Sequence, residues 1–220
     1  DCGGGASGTV FQRHGVWTVL RLDNSDNPAA QSTLTPLPLE LTAASASASR
    51  SFEGSVVWMQ IVNTRLEMRG AAGSGTAFHC FYLTLDSSSI IQGAQVEILS
   101  HDMNLEGDIE GTSSIVLSSA VDAWPPAWSV AAESSNMSTL SMSTQSSLTC
   151  WSCSALLSVN GTIDVSGDVS AATLSMIAGD AMSVQPSSQL SVTGSTVVLE
   201  SVRSSVEFEG DLTCSGSACL

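Results

Sequence analysis

The sequence predicts an all-β fold, a parallel β-helix (solenoid) with irregular loops, from three observations. From residue 155 to 214 short runs alternate apolar and polar residues: Leu157 and Val159, Ile163 and Val165, Leu174 and Met176, Leu190 and Val192, Val197 and Leu199, Val206 and Phe208. Successive side chains of a strand point to opposite faces, so each run offers one apolar stripe and one Ser/Thr stripe. The second observation is a recurring punctuation: apolar residue, any residue, Gly, Asp or Ser, apolar residue. It reads FEGSV at 52–56, LEGDI at 105–109, VSGDV at 165–169, IAGDA at 177–181 and FEGDL at 208–212. Each copy predicts a corner between short strands, because Gly accepts the turn and Asp bonds nearby backbone. Third, aligning Leu174-Met176 with Val197-Leu199 gives an offset of 23 residues, the length of one coil in a stacked repeat. A β-sandwich is the alternative, since strands spaced by about 8 to 12 residues also fit hairpins.

Taken in order, residues 1–42 form an N-terminal β segment with a proline-containing arm. Alternation from Val10 to Leu22 predicts one or two strands, with His14-Gly15 as a turn. Pro28, Pro36 and Pro38 follow, and proline cannot donate to a sheet ladder. Leu34, Pro36, Leu37, Pro38 and Leu39 therefore belong to an edge strand, a connector or an arm docked on a partner. Residues 43–51 are a low-complexity Ala/Ser linker. Residues 52–220 make up the Ser-rich solenoid. Within it, AFHCFYLTL at 77–85 is apolar on both parities, which predicts a strand buried on both sides or at an interface. The prolines of AVDAWPPAW interrupt the pattern, so residues 120–136 are expected to project as a loop. Trp124, Pro125, Pro126 and Trp128 are its candidate contact residues, because exposed rings stack on sugars, prolines or a neighbouring subunit.

Composition narrows the function. Of the 220 residues only 12% are charged, against about 25% usually. Serine supplies the missing polarity. Acidic residues number 21 against six arginines, lysine is absent, and the net charge is −15. Such a chain repels nucleic acid, whose binding requires cations that neutralise phosphate. No run of about 20 apolar residues is present to span a membrane as a helix. Six cysteines and two N-glycosylation acceptors, at Asn136 and Asn160, predict an oxidising extracellular or cell-surface setting.

The cysteines, Cys2, Cys80, Cys150, Cys153, Cys214 and Cys219, are all disulfide candidates. Cys150-Trp151-Ser152-Cys153 has redox-motif spacing, but no strand-then-helix pattern surrounds it, so a structural bridge is expected. Cys214 and Cys219 are placed to close a small loop, and Cys2 and Cys80 remain for each other, within 15 formal connectivities. Asp23, Ser25 and Asn27 space their oxygens as a calcium loop begins, yet Pro28 and Leu34 stand where its glycine and glutamate belong. An ordinary polar turn is the expectation, with calcium the one cofactor candidate. If coils stack, Glu106, Asp108, Glu110, Asp168, Asp180 and Asp211 either form a repelling carboxylate ladder or spread over the surface, and the second is expected. For catalysis, Glu106/Asp108/Glu110 and Asp164/Asp168 are the tight acidic groups, and both sit in turns. The NTD, DD, GHG and RIK motifs of β-helical pectin hydrolases are absent, and His14, His79 and His101 lie far apart with no nucleophile motif. No enzyme is expected.

CGGGASGTVF at 2–11, followed by VLRLDNS at 19–25, resembles glycine-rich openings of large secreted β-rich proteins of protists, the mastigoneme shaft proteins of algae. That resemblance implies a filament subunit without an active site. The Ser/Val/Gly coils are also similar in composition to bacterial β-helical adhesins. The expected function is a structural subunit of an extracellular filament or surface appendage, assembling with copies of itself or other filament proteins through stacked coils and exchanged arms. A carbohydrate-binding adhesin module, with glycans as partners, is the first alternative. A polysaccharide-degrading β-helix enzyme is the second.

Overall fold

The structure is a computed structural model that describes residues 8–14, 17–24, 35–36, 58–68, 77–119 and 137–215. It opens on an antiparallel hairpin in which β1 (Gly8–His14) lies on β2 (Trp17–Asp23), His14 facing Trp17. Then come β3 (Thr35–Pro36), β4 (Trp58–Val62), β5 (Arg65–Met68), β6 (Ala77–Leu85), β7 (Ile90–Leu105) and β8 (Asp108–Ser118). After residues 120–136 follow β9 (Thr139–Met142), β10 (Ser147–Val159), β11 (Thr162–Val165), β12 (Asp168–Ala178), β13 (Met182–Val184), β14 (Gln189–Ser201), β15 (Val206–Phe208) and β16 (Asp211–Cys214). Among the described residues every pairing beyond the hairpin is parallel, and the strands form one 16-stranded sheet wound into a β-solenoid of about six turns. The all-β parallel solenoid read from the sequence is the observed fold, and the sandwich alternative falls away.

The registers divide the sheet into three faces. On the first, β2, β4, the ends of β6 and β7, β9, β11, β13 and β15 stack in turn. The second stacks β3, β5, the starts of β7, β8, β10, β12 and β14, then β16. The start of β6, the middle of β7 and the later halves of β8, β10, β12 and β14 build the third, entered through a bulge such as the register shift between Ala171 and Thr173. The predicted 23-residue offset is the real register, with Leu174 opposite Val197 and Met176 opposite Leu199. Inward residues form unbroken columns. On the first face Met59, Leu83, Met103, Leu140, Ile163 and Met182 lie one above another, each at most 1% exposed. Burying such a side chain contributes roughly 1.5–3 kcal/mol, so the columns hold the coils together.

Two sequence readings look different in space. Cys80 and then Leu83 and Leu85 face the interior because β6 turns there from the third face to the first, which reverses the inward parity, and Phe81 is buried at the corner itself against His101 and Tyr82. The two-sided apolar signal at 77–85 thus marks a corner inside one strand. Pro36 pairs with Glu67, and among the described residues β3 joins only β5, an edge position that suits a residue without an N–H.

The corner between the first and second faces alternates from coil to coil. Residues 86–90, 143–147 and 185–189 are wide corners, each closed by a β-turn: Ser89 N donates to Asp86 O (3.0 Å), Ser146 N to Ser143 O (3.1 Å) and Ser188 N to Gln185 O (3.0 Å). Alternating with them are the narrow corners 63–65, 106–108, 166–168 and 209–211; Asn63 turns the first at a φ of 46°, and the other three are the Gly-Asp punctuation. Each of those three nests in the wide turn of the coil before. A Cβ on Gly107 would collide with Asp86 O and Ser89 O, and one on Gly167 with Ser146 O and Ser143 O. Close approach, rather than a left-handed backbone, is what demands glycine here. The following aspartate N–H completes the joint: Asp108 N donates to Ser89 O (2.9 Å), Asp168 N to Ser146 O (3.1 Å) and Asp211 N to Ser188 O (2.9 Å). Its carboxylate reaches the other way. Asp108 Oδ1 accepts from Ser147 N (3.0 Å) and Ser147 Oγ (2.7 Å), and Asp168 Oδ1 accepts from Gln189 N (3.1 Å). Because narrow corners occupy every second coil, these carboxylates never stack directly. The fourth Gly-Asp copy, Gly179-Asp180, turns a different corner, from the third face to the first, with Gly179 against Asn160 O.

Gly107→Ala and Gly167→Ala should each lower the unfolding free energy by about 1–3 kcal/mol, the usual cost of overfilling a tight site. Gly210→Ala should cost less, since its nearest carbonyls lie 2.9 and 3.0 Å from the added carbon on the last described coil. Urea denaturation of the three variants checks the order.

Candidate functional site

Two surfaces of the solenoid carry more than packing. The first is a groove of about 600 Å³ on the outward side of the first face. There the outward row Trp58, Tyr82, Asp102, Thr139 runs up successive coils beside a second row, Gln60, Thr84, Asn104, Ser141. Trp58 is 41% exposed, and its Nε1 donates to Thr84 Oγ1 at 3.2 Å, which fixes the ring. Tyr82 meets it edge-on with centroids 6.4 Å apart. Behind Tyr82, Phe81 stacks flat on His101 at 4.6 Å. Asp102 Oδ1 accepts from Thr139 N (3.0 Å) and Thr139 Oγ1 (2.7 Å), while His101 Nδ1 lies 3.2 Å from Oδ2, in ion-pair range but off the line of a hydrogen bond. Burial alone would raise the Asp102 carboxyl, yet His101 and Thr139 together outweigh it and hold it below the ordinary range. The Tyr82 hydroxyl is pushed up, by burial first and by Asp102 second. The site is a fixed aromatic pair beside a carboxylate and a ladder of hydroxyl and amide groups.

The second surface is the C-terminal end. Val206, Phe208 and Leu212 continue the inward columns of Met182, Val184 and Leu190, but are 37%, 36% and 43% exposed. Among the described residues no strand covers β15, β16 or the later half of β14. Asp211 occupies the place where Asp108 and Asp168 receive a backbone N–H from the next coil, and no described residue supplies that donor. Around the open end stand Glu200, Glu207, Glu209 and Asp211, against one exposed cation, Arg203.

Cys150 and Cys153 form a disulfide across the bulge between the second and third faces, Cα atoms 5.1 Å apart, as the sequence predicts. It leaves Trp151 60% exposed. Cys214 is also disulfide-bonded. Cys80 corrects the expectation: it carries a free thiol. It faces the closed interior at a corner, with Ser100 Oγ 3.6 Å away, and burial pushes its pKa up to about 12. At the Asn160 acceptor the backbone N–H donates to Ser119 Oγ and Ser138 Oγ, both at 2.9 Å, and the side chain stands at a half-buried corner. Asp23 pairs with Arg21 at 2.6 Å.

Cys2, Cys219, Asn136, Ser25, Asn27, Leu34, Leu37, Pro38, Leu39, Trp124, Pro125, Pro126 and Trp128, with the linker 43–51, lie outside the described residues. Trp58 and Tyr82 were not singled out by sequence reasoning. Their signal is an aromatic on the polar parity of two strands one coil apart. No protein-family model, curated protein or solved structure matches the chain.

Cys80 should resist thiol reagents in the folded chain even at pH 10 and react once the chain is unfolded. Its proton is bound more tightly in the folded state, so its contribution is complete below the ordinary value of 9.0 and fades between there and about 12. Mass spectrometry after brief alkylation reads this directly.

Proposed function

We propose that this chain is a structural segment of an extracellular filament or cell-surface appendage, joined lengthwise to a further coil through its open C-terminal end. The observation that carries this is the exposure of Val206, Phe208 and Leu212 in columns that are dry everywhere below. An uncovered sheet edge over an open apolar core templates another strand layer. The corner alternation defines the incoming coil. A narrow corner ends the described stack with Gly210 already seated on the turn 185–188, so the next coil needs a wide corner, whose following residue offers Asp211 its N–H. The acidic rim disfavours a second copy of the same end, because like charges would face each other across the joint. An oxidising setting accords with the Cys150–Cys153 bridge and the glycosylation acceptors. The likeness of residues 2–11 and 19–25 to mastigoneme shaft proteins favours the same use.

Inserting one more coil after Ser215, ahead of residues 216–220, tests the joint. A copy carrying the wide corner 185–189 should raise the melting temperature and abolish binding of an apolar dye at the end. A copy carrying the narrow corner 166–168 should do neither. Equal effects, or none from the wide copy, would refute end-on stacking, and electron micrographs of the native material without rods would refute the filament.

A further inference from the structure

We infer that the groove on the first face is a binding site for a neutral glycan chain laid across successive coils. Trp58 and Tyr82 provide adjoining rings on two neighbouring coils, and the bond from Trp58 to Thr84 holds the larger one outward without loss of freedom on binding. Pyranose rings present apolar C–H faces that lie on such surfaces and hydroxyl edges that need directional partners. Asn104, Thr84 and Ser141 stand in one register column beside the rings, each with groups that both donate and accept. Their spacing follows that of the strands, about 4.8 Å, close to the length of one sugar residue, so successive sugars meet successive coils. Charge selects the class. Asp102 lies in the groove, no arginine lines it among the described residues, and the chain has a net charge of −15. A uronate or sulfated chain would be repelled, whereas Asp102 can accept from a neutral hydroxyl. This site is independent of the open end, and its polar partners are fixed to strands rather than loops, which sets a rigid spacing.

Binding of the whole 220-residue chain to immobilised mannan, xylan, β-glucan and polygalacturonate, followed by calorimetry with the matching hexasaccharides, provides the test. At least one neutral polymer should bind and polygalacturonate should not. Trp58→Ala should weaken binding at least tenfold while Trp58→Phe retains part of it, and the exposed Trp151→Ala should leave it unchanged. Far-UV circular dichroism of the Trp58 variants guards against loss of fold, and Asn104→Ala supplies a second variant on the polar row. No binding to any neutral polymer would overturn the inference, as it would if another segment or a second chain filled the groove. So would preference for polygalacturonate, or loss of binding through Trp151 rather than Trp58.

Discussion

The nesting of a glycine corner inside the β-turn of the coil beneath it is the constraint on which the rest of the solenoid depends. Gly107 and Gly167 come so close to the carbonyls of the preceding turn that no side chain fits. A narrow corner therefore has to follow a wide one, and the repeating unit becomes two coils rather than one. Buried Ser89, Ser146 and Ser188 close the wide turns, and Ser188 Oγ reaches down to Val165 O at 2.7 Å. Hydrogen bonds satisfied in this way remove the penalty of burying polar groups at every corner. The aspartate after the glycine then ties the narrow corner upward through its carboxylate. Register is thereby locked at the corners as well as along the apolar columns, and slippage by one residue would break both.

Much of this architecture is legible in the sequence. Period-two alternation marks the strands, and Leu174-Met176 against Val197-Leu199 predicts the true register of β12 on β14. Gly-Asp copies at 107, 167, 179 and 210 do mark corners. Their uneven spacing has two causes invisible in one dimension: Gly179 turns a different corner from the others, and residues 120–136 separate Gly107 from Gly167. The wide corners escape notice because Asp86, Ser143 and Gln185 share no motif; what unites them is a β-turn ended by serine. Cys80 misleads for a related reason. Cysteine parity argues for a bridge, but the corner in β6 directs its thiol into the closed interior. Trp58 and Tyr82 read as strand residues, and only the coil register brings them side by side.

The low charge of the chain takes on a physical role in this setting. Stacked parallel faces place each outward residue about 4.8 Å from its equivalents above and below. Long charged side chains in such columns would repel or crowd, while Ser, Thr and Asn hydrogen-bond to neighbours at little entropic cost. The corner aspartates Asp108, Asp168 and Asp211 are separated by the two-coil period, and Asp86, Asp102, Asp108 and Asp168 are engaged by backbone N–H groups. Among the described residues the result is a stacked scaffold with a polar skin, a groove lined by aromatic rings, and a last coil whose apolar columns are uncovered.

The central claim, that alternating corners lock the coils, is tested most directly by hydrogen exchange on a chain whose wide corner 185–189 is replaced by Ser-Gly-Asp, copied from 166–168. Three narrow corners would then sit on successive coils, and neither the new glycine nor Gly210 would find a turn to receive it. The account predicts that amides from β13 to β16 lose protection while those of β10 to β12 keep theirs. Unchanged protection throughout β13 to β16 would contradict it, and the coils would then be held by their apolar columns alone.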